Sequence, residues 1–165
     1  MDWATILKIS HLVGTVLGVG AVSFIDYFYI RAVKDGKIEP HEVEPIRLLT
    51  PVLRLGLVIL ILSGFGYFLL YRLTGHEERL LNPRFLAKIT VVGVIVLNGL
   101  LLELKKIPIN IGGPISSVSW WSAFILGAWR GLSLSYSAII AAYLLVILAA
   151  ILAFTAIKKV LKIPI

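Results

Sequence analysis

Apolar runs of membrane length, separated by short charged segments, repeat along the chain. The first runs from about Trp3 to Tyr29 and is closed by the polar stretch RAVKDGKIEPHEVEPIR. A second runs from about Leu48 to Tyr71, with Pro51 near its start, where the missing amide is expected to bend the helix. It ends in RLTGHEERLLNPR, whose Asn82 and Pro83 are a start signal for a third helix over about Phe85 to Leu102. Each run approaches the roughly 20 residues that a bilayer demands.

The fourth segment is harder to read. IPINIGGPISSVSWWSAFILGAWR carries no charge before Arg130, but Pro108, Gly112, Gly113 and Pro114 interrupt its first half. A helix from Pro114, a residue suited to a first helical position, to about Trp129 would be short for a span and within the range of re-entrant segments. The last helix, about Ser135 to Ile157, is apolar throughout, and its alanines permit close packing.

Charge placement chooses between five spans and four plus a re-entrant segment. With five, nine Lys and Arg outside the apolar runs share one side, including Arg31, Lys34, Lys37, Arg47, Lys105, Lys106, Lys158, Lys159 and Lys162. The other side holds Arg72, Arg79, Arg84 and Arg130. With four spans this bias nearly vanishes. The positive-inside rule therefore favours an all-α, polytopic integral membrane bundle of five transmembrane helices, with the N-terminus outside. Residues 1–165 then form a single integral membrane domain, multi-pass in a cell membrane, with the lipid bilayer as its first partner. The first helix is expected to remain as an anchor, since no basic leader precedes it and no small-residue cleavage site follows it.

Composition agrees with this solvent: 59% of residues are hydrophobic and 15% charged, where a soluble domain has about a quarter charged. The net charge of +7 sits in clusters between apolar runs rather than along one face, which argues against nucleic acid. There is no cysteine, so disulfides, thiolate metal sites and thiol chemistry are excluded.

A few polar residues fall inside the apolar runs. Asp26 lies about a turn before the end of the first helix, and Arg54 about two turns into the second, which suggests an intramembrane ion pair. Gly14 and Gly18, four apart, form a small-residue face that another backbone can approach, and Gly56, Gly64, Gly66, Gly93 and Gly99 extend this pattern. Such faces also suit a homo-oligomer or a partner membrane subunit. His11 is the one histidine inside an apolar run; Lys8 lies one turn away, and Lys88 one turn into the third helix. A histidine at such a place is either a hydrogen-bonded structural residue or a metal ligand in its neutral form.

With H-x-x-G followed by further glycines in the first helix, and NPRFLAKITVVGVIVLNG in the third, the sequence resembles a group of small helical membrane proteins. The group comprises the copper-resistance protein CopD and the HemJ-type protoporphyrinogen oxidases. The resemblance covers roughly the first two thirds of the chain. It implies haem b, with His11 matching the axial histidine and Phe85 and Lys88 matching an aromatic and a lysine of the third helix. Asn98 stands where the group has a later histidine. On this reading the cofactor-binding residues are His11, Gly14, Gly18, Lys88 and Asn98: the glycines would flank the macrocycle, Lys8 or Lys88 would meet a propionate, and Asn98 would be a polar pocket residue. Two other readings stand beside it. One is a small transporter or channel whose path is lined by Asp26, Arg54, Lys88 and Glu103; the other is an assembly subunit without chemistry.

Overall fold

The computed structural model describes residues 2–33, 39–129 and 131–160, with no side-chain description for residues 158 and 160. Lys34, Lys37, Arg130, Lys162 and the side chain of Lys158, counted above in the charge bias, lie outside the described residues. Five α-helices follow in order: α1 (Trp3–Ala32), α2 (Pro40–Leu73), α3 (Pro83–Glu103), α4 (Ile109–Ala128) and α5 (Tyr136–Val160). A short 3-10 turn (Glu77–Arg79) lies between α2 and α3. Among the described residues there is no strand.

Local chemistry explains the boundaries. Asp2 caps α1, its carboxylate accepting from the Thr5 amide at 2.8 Å, and hydrogen bonding from the Thr5 side chain and then its amide holds the Asp2 carboxyl below its usual range. The expected start of α2 at Leu48 is corrected to Pro40. Pro40 stands in the first turn, and the Glu42 carboxylate accepts from the Glu39 amide at 2.9 Å, the reciprocal half of a capping box. EPHE, read above as loop, is thus a helix start. The Asn82 side chain accepts from the Arg84 amide at 3.0 Å and opens α3, as the Asn-Pro signal indicates.

Two contacts fix the course of α4. Near one end, Asn98 Nδ2 of α3 donates to the Gly112 carbonyl at 2.9 Å; at the other, Arg84 Nη1 donates to the Trp129 carbonyl at 2.6 Å. The fourth helix therefore begins at Ile109 rather than Pro114 and returns along most of the length of α3, 20 residues or ~30 Å. It does not dip in and turn back. Thr90 Oγ1 and the Tyr136 hydroxyl, 3.0 Å apart, place the start of α5 beside the early turns of α3. Tyr29 and Phe154, with ring centroids 5.6 Å apart, place the later part of α5 beside the end of α1. The helices alternate in direction, and the two ends of the bundle are named below for the start and finish of α1: the Trp3 end and the Ala32 end.

Helix α4 is the hub, packed against α1, α3 and α5, whereas α2 rests chiefly on α1. The core runs through Val22, Val91, Ile95, Trp120, Ile139 and Tyr143. Four helices, α1, α2, α3 and α5, are long and apolar enough to cross a membrane. Large apolar side chains such as Leu12, Val16, Leu62, Leu97, Leu145 and Leu152 point out of the bundle on all of them. An outward-facing apolar surface of this extent suits lipid, and the chain is a multi-pass membrane protein. The fourth helix carries Asn110 and four serines, and can do so because its neighbours cover much of it.

Candidate functional site

The α1/α2 pair is held in one antiparallel register by small residues. A β-carbon on Gly14 would lie 2.8 Å from the Leu60 amide nitrogen and 2.9 Å from the Gly56 carbonyl oxygen. One on Gly56 would lie 2.8 Å from the Gly18 nitrogen, so the two backbones touch. In the same register His11 meets Ser63, with Nδ1 and Oγ 2.9 Å apart. Ser63 also donates to the Ile59 carbonyl at 2.7 Å, which fixes its rotamer and leaves its oxygen free to accept from the ring. The imidazole is thereby oriented with Nδ1 turned to α2. Tyr67 meets it edge-on, with centroids 5.9 Å apart and planes at 85°.

Towards the Trp3 end, the bundle leaves a cleft of about 410 Å³. His11, Leu12 and Thr15 of α1, Tyr67 of α2, Lys88 of α3 and Phe124 of α4 line it. One turn further in on both α1 and α4, Gly18 meets the Trp120 indole, and this contact closes the floor. His11 Nε2 makes no hydrogen bond, yet the only sealed polar side-chain atom without a partner among the described residues is Asn98 Oδ1. Nε2 is therefore the ring nitrogen open to the cleft.

Of the expected cofactor residues, His11 and Lys88 share this cleft. Gly14 and Gly18 do not flank open space: α2 backbone fills the first position, and the Trp120 ring the second. The glycines that do line the cleft are Gly64 and Gly127. Asn98 is also elsewhere, 4% exposed on the α3/α4 seam. His76 bonds to Thr74 in the loop and His41 pairs with Glu39 at 3.2 Å, so neither lines the cleft. Among the described residues no three metal-ligating side chains cluster.

The expected Asp26–Arg54 pair is not formed. Arg54 Nη2 lies 3.2 Å from Glu103 Oε1 of α3, and Asp26 accepts a short hydrogen bond from Ser117 Oγ of α4. The reason is depth. Asp26 is six residues, ~9 Å, from the end of α1, whereas the early start of α2 leaves Arg54 fourteen residues, ~21 Å, from its own first residue. The register set by His11–Ser63 and Gly14–Leu60, continued along the pair, puts Arg47 and Leu48 opposite Asp26, and Gly20 opposite Arg54.

Sequence reasoning did not single out Ser63, Ser117 or Trp120. Ser63 was findable, since Gly56 and Ser63 are seven apart on α2 and match the spacing of His11, Gly14 and Gly18 on α1. No protein-family model matches the chain, and no curated protein or solved structure is significantly similar to it.

Proposed function

We propose that this multi-pass protein, with its N-terminus outside the cell membrane, binds haem b in the cleft at the Trp3 end through His11. The observation that carries the reading is the division of labour on the imidazole: Nδ1 is fixed by Ser63, and Nε2 is free in an apolar-walled cleft. Metal-binding histidines characteristically have their second nitrogen held in this way. Lys88 in the cleft, with Lys8 beside it, supplies positive charge for the propionates. The residues fit a haem with one protein ligand, because among the described residues no second histidine or methionine lines the cleft. Haem bound there would supply one-electron or small-ligand chemistry. The chain's own part is to orient His11, wall off water with Leu12, Phe124 and Phe85, and hold acidic groups at the mouth.

The test is the absorption spectrum of protein purified from haem-sufficient cells. A b-type Soret band, lost in His11→Ala and weakened in Lys88→Ala, is the expected result. A folded, colourless protein that takes up no added haem overturns the reading.

One observation favours a second reading, transport. Asp26 lies within a membrane-length helix, bonded to Ser117 and without a cation partner among the described residues, and intramembrane carboxylates commonly mark ion or proton paths. Proton or solute flux into liposomes that is abolished by Asp26→Asn, from a protein without pigment, would select transport over haem binding.

A further inference from the structure

A second cavity lies at the mouth of the His11 cleft, on the Trp3 end of α3. It measures about 490 Å³ and is lined by Tyr71, Arg79, Asn82, Arg84, Phe85 and Lys88. Three of these are cations, and no carboxylate lines the cavity. Among the described residues, the ion pairs are His41–Glu39, Arg54–Glu103 and Arg72–Glu77, so none of the three pairs with a described carboxylate.

Neutral partners hold the cationic heads in place instead. The Arg79 guanidinium lies 5.3 Å from the centre of the Tyr71 ring, and the Lys88 ammonium 5.9 Å from that of Phe85. Arg84 uses one N–H on the Trp129 carbonyl at 2.6 Å, leaving the rest of its fork of donors unspent. Arg84 and Lys88 are four apart on α3, a spacing at which like charges repel. They stand in its first two turns, where the helix dipole adds more positive potential. The first turn also leaves the Phe85 amide without a hydrogen bond, since the Asn82 side chain serves Arg84 and the Asn82 carbonyl serves Leu86. Three cations and a helix start that line one cavity, with no carboxylate among the described residues that line it, form a seat for an anion. These arginines also stand on the side that membrane topology would deplete of positive charge if the N-terminus is outside.

We infer that this vestibule binds the phosphate group of an anionic ligand, with Arg79, Arg84 and the Phe85 amide as donors. Arginine forks match the spacing of phosphate oxygens, and a helix start favours the same charge. Tyr71, Phe85 and Lys88 also line the His11 cleft, so vestibule and cleft are continuous and a hydrocarbon-bearing phosphate ester could lie across both. Arg79 and Arg84 are outside the cleft, and the inference stands without haem.

The test measures thermal unfolding of the whole protein in a neutral detergent. One arm titrates inorganic phosphate against chloride at constant ionic strength; the other compares short-chain phosphatidylglycerol with phosphatidylcholine. A saturable rise in Tm with either phosphate probe is expected, its midpoint moved about tenfold or more to higher concentration in Arg79→Gln/Arg84→Gln. Arg54→Gln, outside the vestibule and paired with Glu103, should leave the midpoint unchanged. A response to phosphate identifies a free-ion site, and a response to phosphatidylglycerol alone a lipid headgroup site. The single variant Arg79→Gln, altered at an exposed side chain, provides the comparison should the double variant fold poorly. An equal midpoint in the variants, no saturable response to either probe, or an equal response to phosphatidylcholine overturns the inference. The haem spectrum is read separately, so the two proposals fail independently.

Discussion

The Trp120 indole of α4 lies in the space that a β-carbon on Gly18 of α1 would need, and this contact closes the floor of the His11 cleft. Trp120 is 1% exposed, so a ring displaced from this place must push into packed neighbours or up into the cleft it floors. Gly18 also has the Gly56 backbone on its other side. Gly18→Ala should therefore destabilise the bundle by ~1–3 kcal/mol, the range for overpacking a filled core. Trp120→Leu in the Gly18→Ala background should restore part of the loss. Thermal unfolding of the four proteins of the cycle checks this; strictly additive losses would mean that the two residues do not share the space.

Much of this arrangement was legible in the sequence. Five apolar runs gave five helices, and Asn82–Pro83 opened the third as its chemistry requires. What failed was depth. EPHEVEPIR is charged and holds two prolines, so periodicity assigned it to a loop, while Pro at a first helical position and the Glu39–Glu42 capping box made it helix. A helix that starts eight residues early carries Arg54 deeper than charge spacing alone can show. The fate of Gly14 and Gly18 was unreadable for a different reason. A small-residue face says that something comes close, and only the fold shows whether it is a backbone, an indole or a cofactor.

Arg54 and Glu103 link α2 to α3, which otherwise meet little. Their separation of 3.2 Å, at more than half exposure to the surroundings of the bundle, makes this a modest bond in detergent. Arg54→Leu should cost about 1 kcal/mol or less, and Glu103→Gln in the same background should add little. Asp26→Asn combined with Arg54→Leu should instead be additive within ~0.5 kcal/mol. Chemical or thermal unfolding distinguishes the two cycles; coupling between positions 26 and 54 would refute the assignment of partners.

Lys105 turns the chain from α3 towards α4 with φ of 54°, in the left-handed region that glycine enters most readily. The Lys106 amide closes the turn on the Leu101 carbonyl at 2.8 Å. Lys105→Gly should stabilise the protein by ~0.5–1 kcal/mol, and Lys105→Val should destabilise it by at least as much. Unfolding midpoints of the two variants are the measurement.

The Asp2 cap gives a pH dependence. Its carboxyl is held below the usual value of 3.8 by the Thr5 hydrogen bonds, so its contribution is present above that value and lost as pH falls through the lowered one. The amide of Thr5 should exchange faster at the acid end of this window. Asp2→Asn should remove the pH dependence while keeping the cap, and an unchanged profile in that variant would assign the effect elsewhere.

Helix number and charge together predict an orientation that labelling tests. Five helices alternating in direction put the α2–α3 connection at the Trp3 end and the α3–α4 connection at the Ala32 end. Because the chain has no cysteine, a single introduced thiol reports one position without background. Glu78→Cys and Lys106→Cys place thiols at exposed sites in these two connections, whereas a cysteine at Gly112 would collide with Leu102. With the N-terminus outside, an impermeant thiol reagent added to intact cells should label position 78 and spare position 106, and lysis should expose both. Labelling of position 106 alone would invert the molecule, move the cationic vestibule and His11 to the cytoplasmic side, and replace an external haem or phosphate source with an internal one. Labelling of both in intact cells would contradict a crossing of the membrane by α3, whose two ends these positions flank.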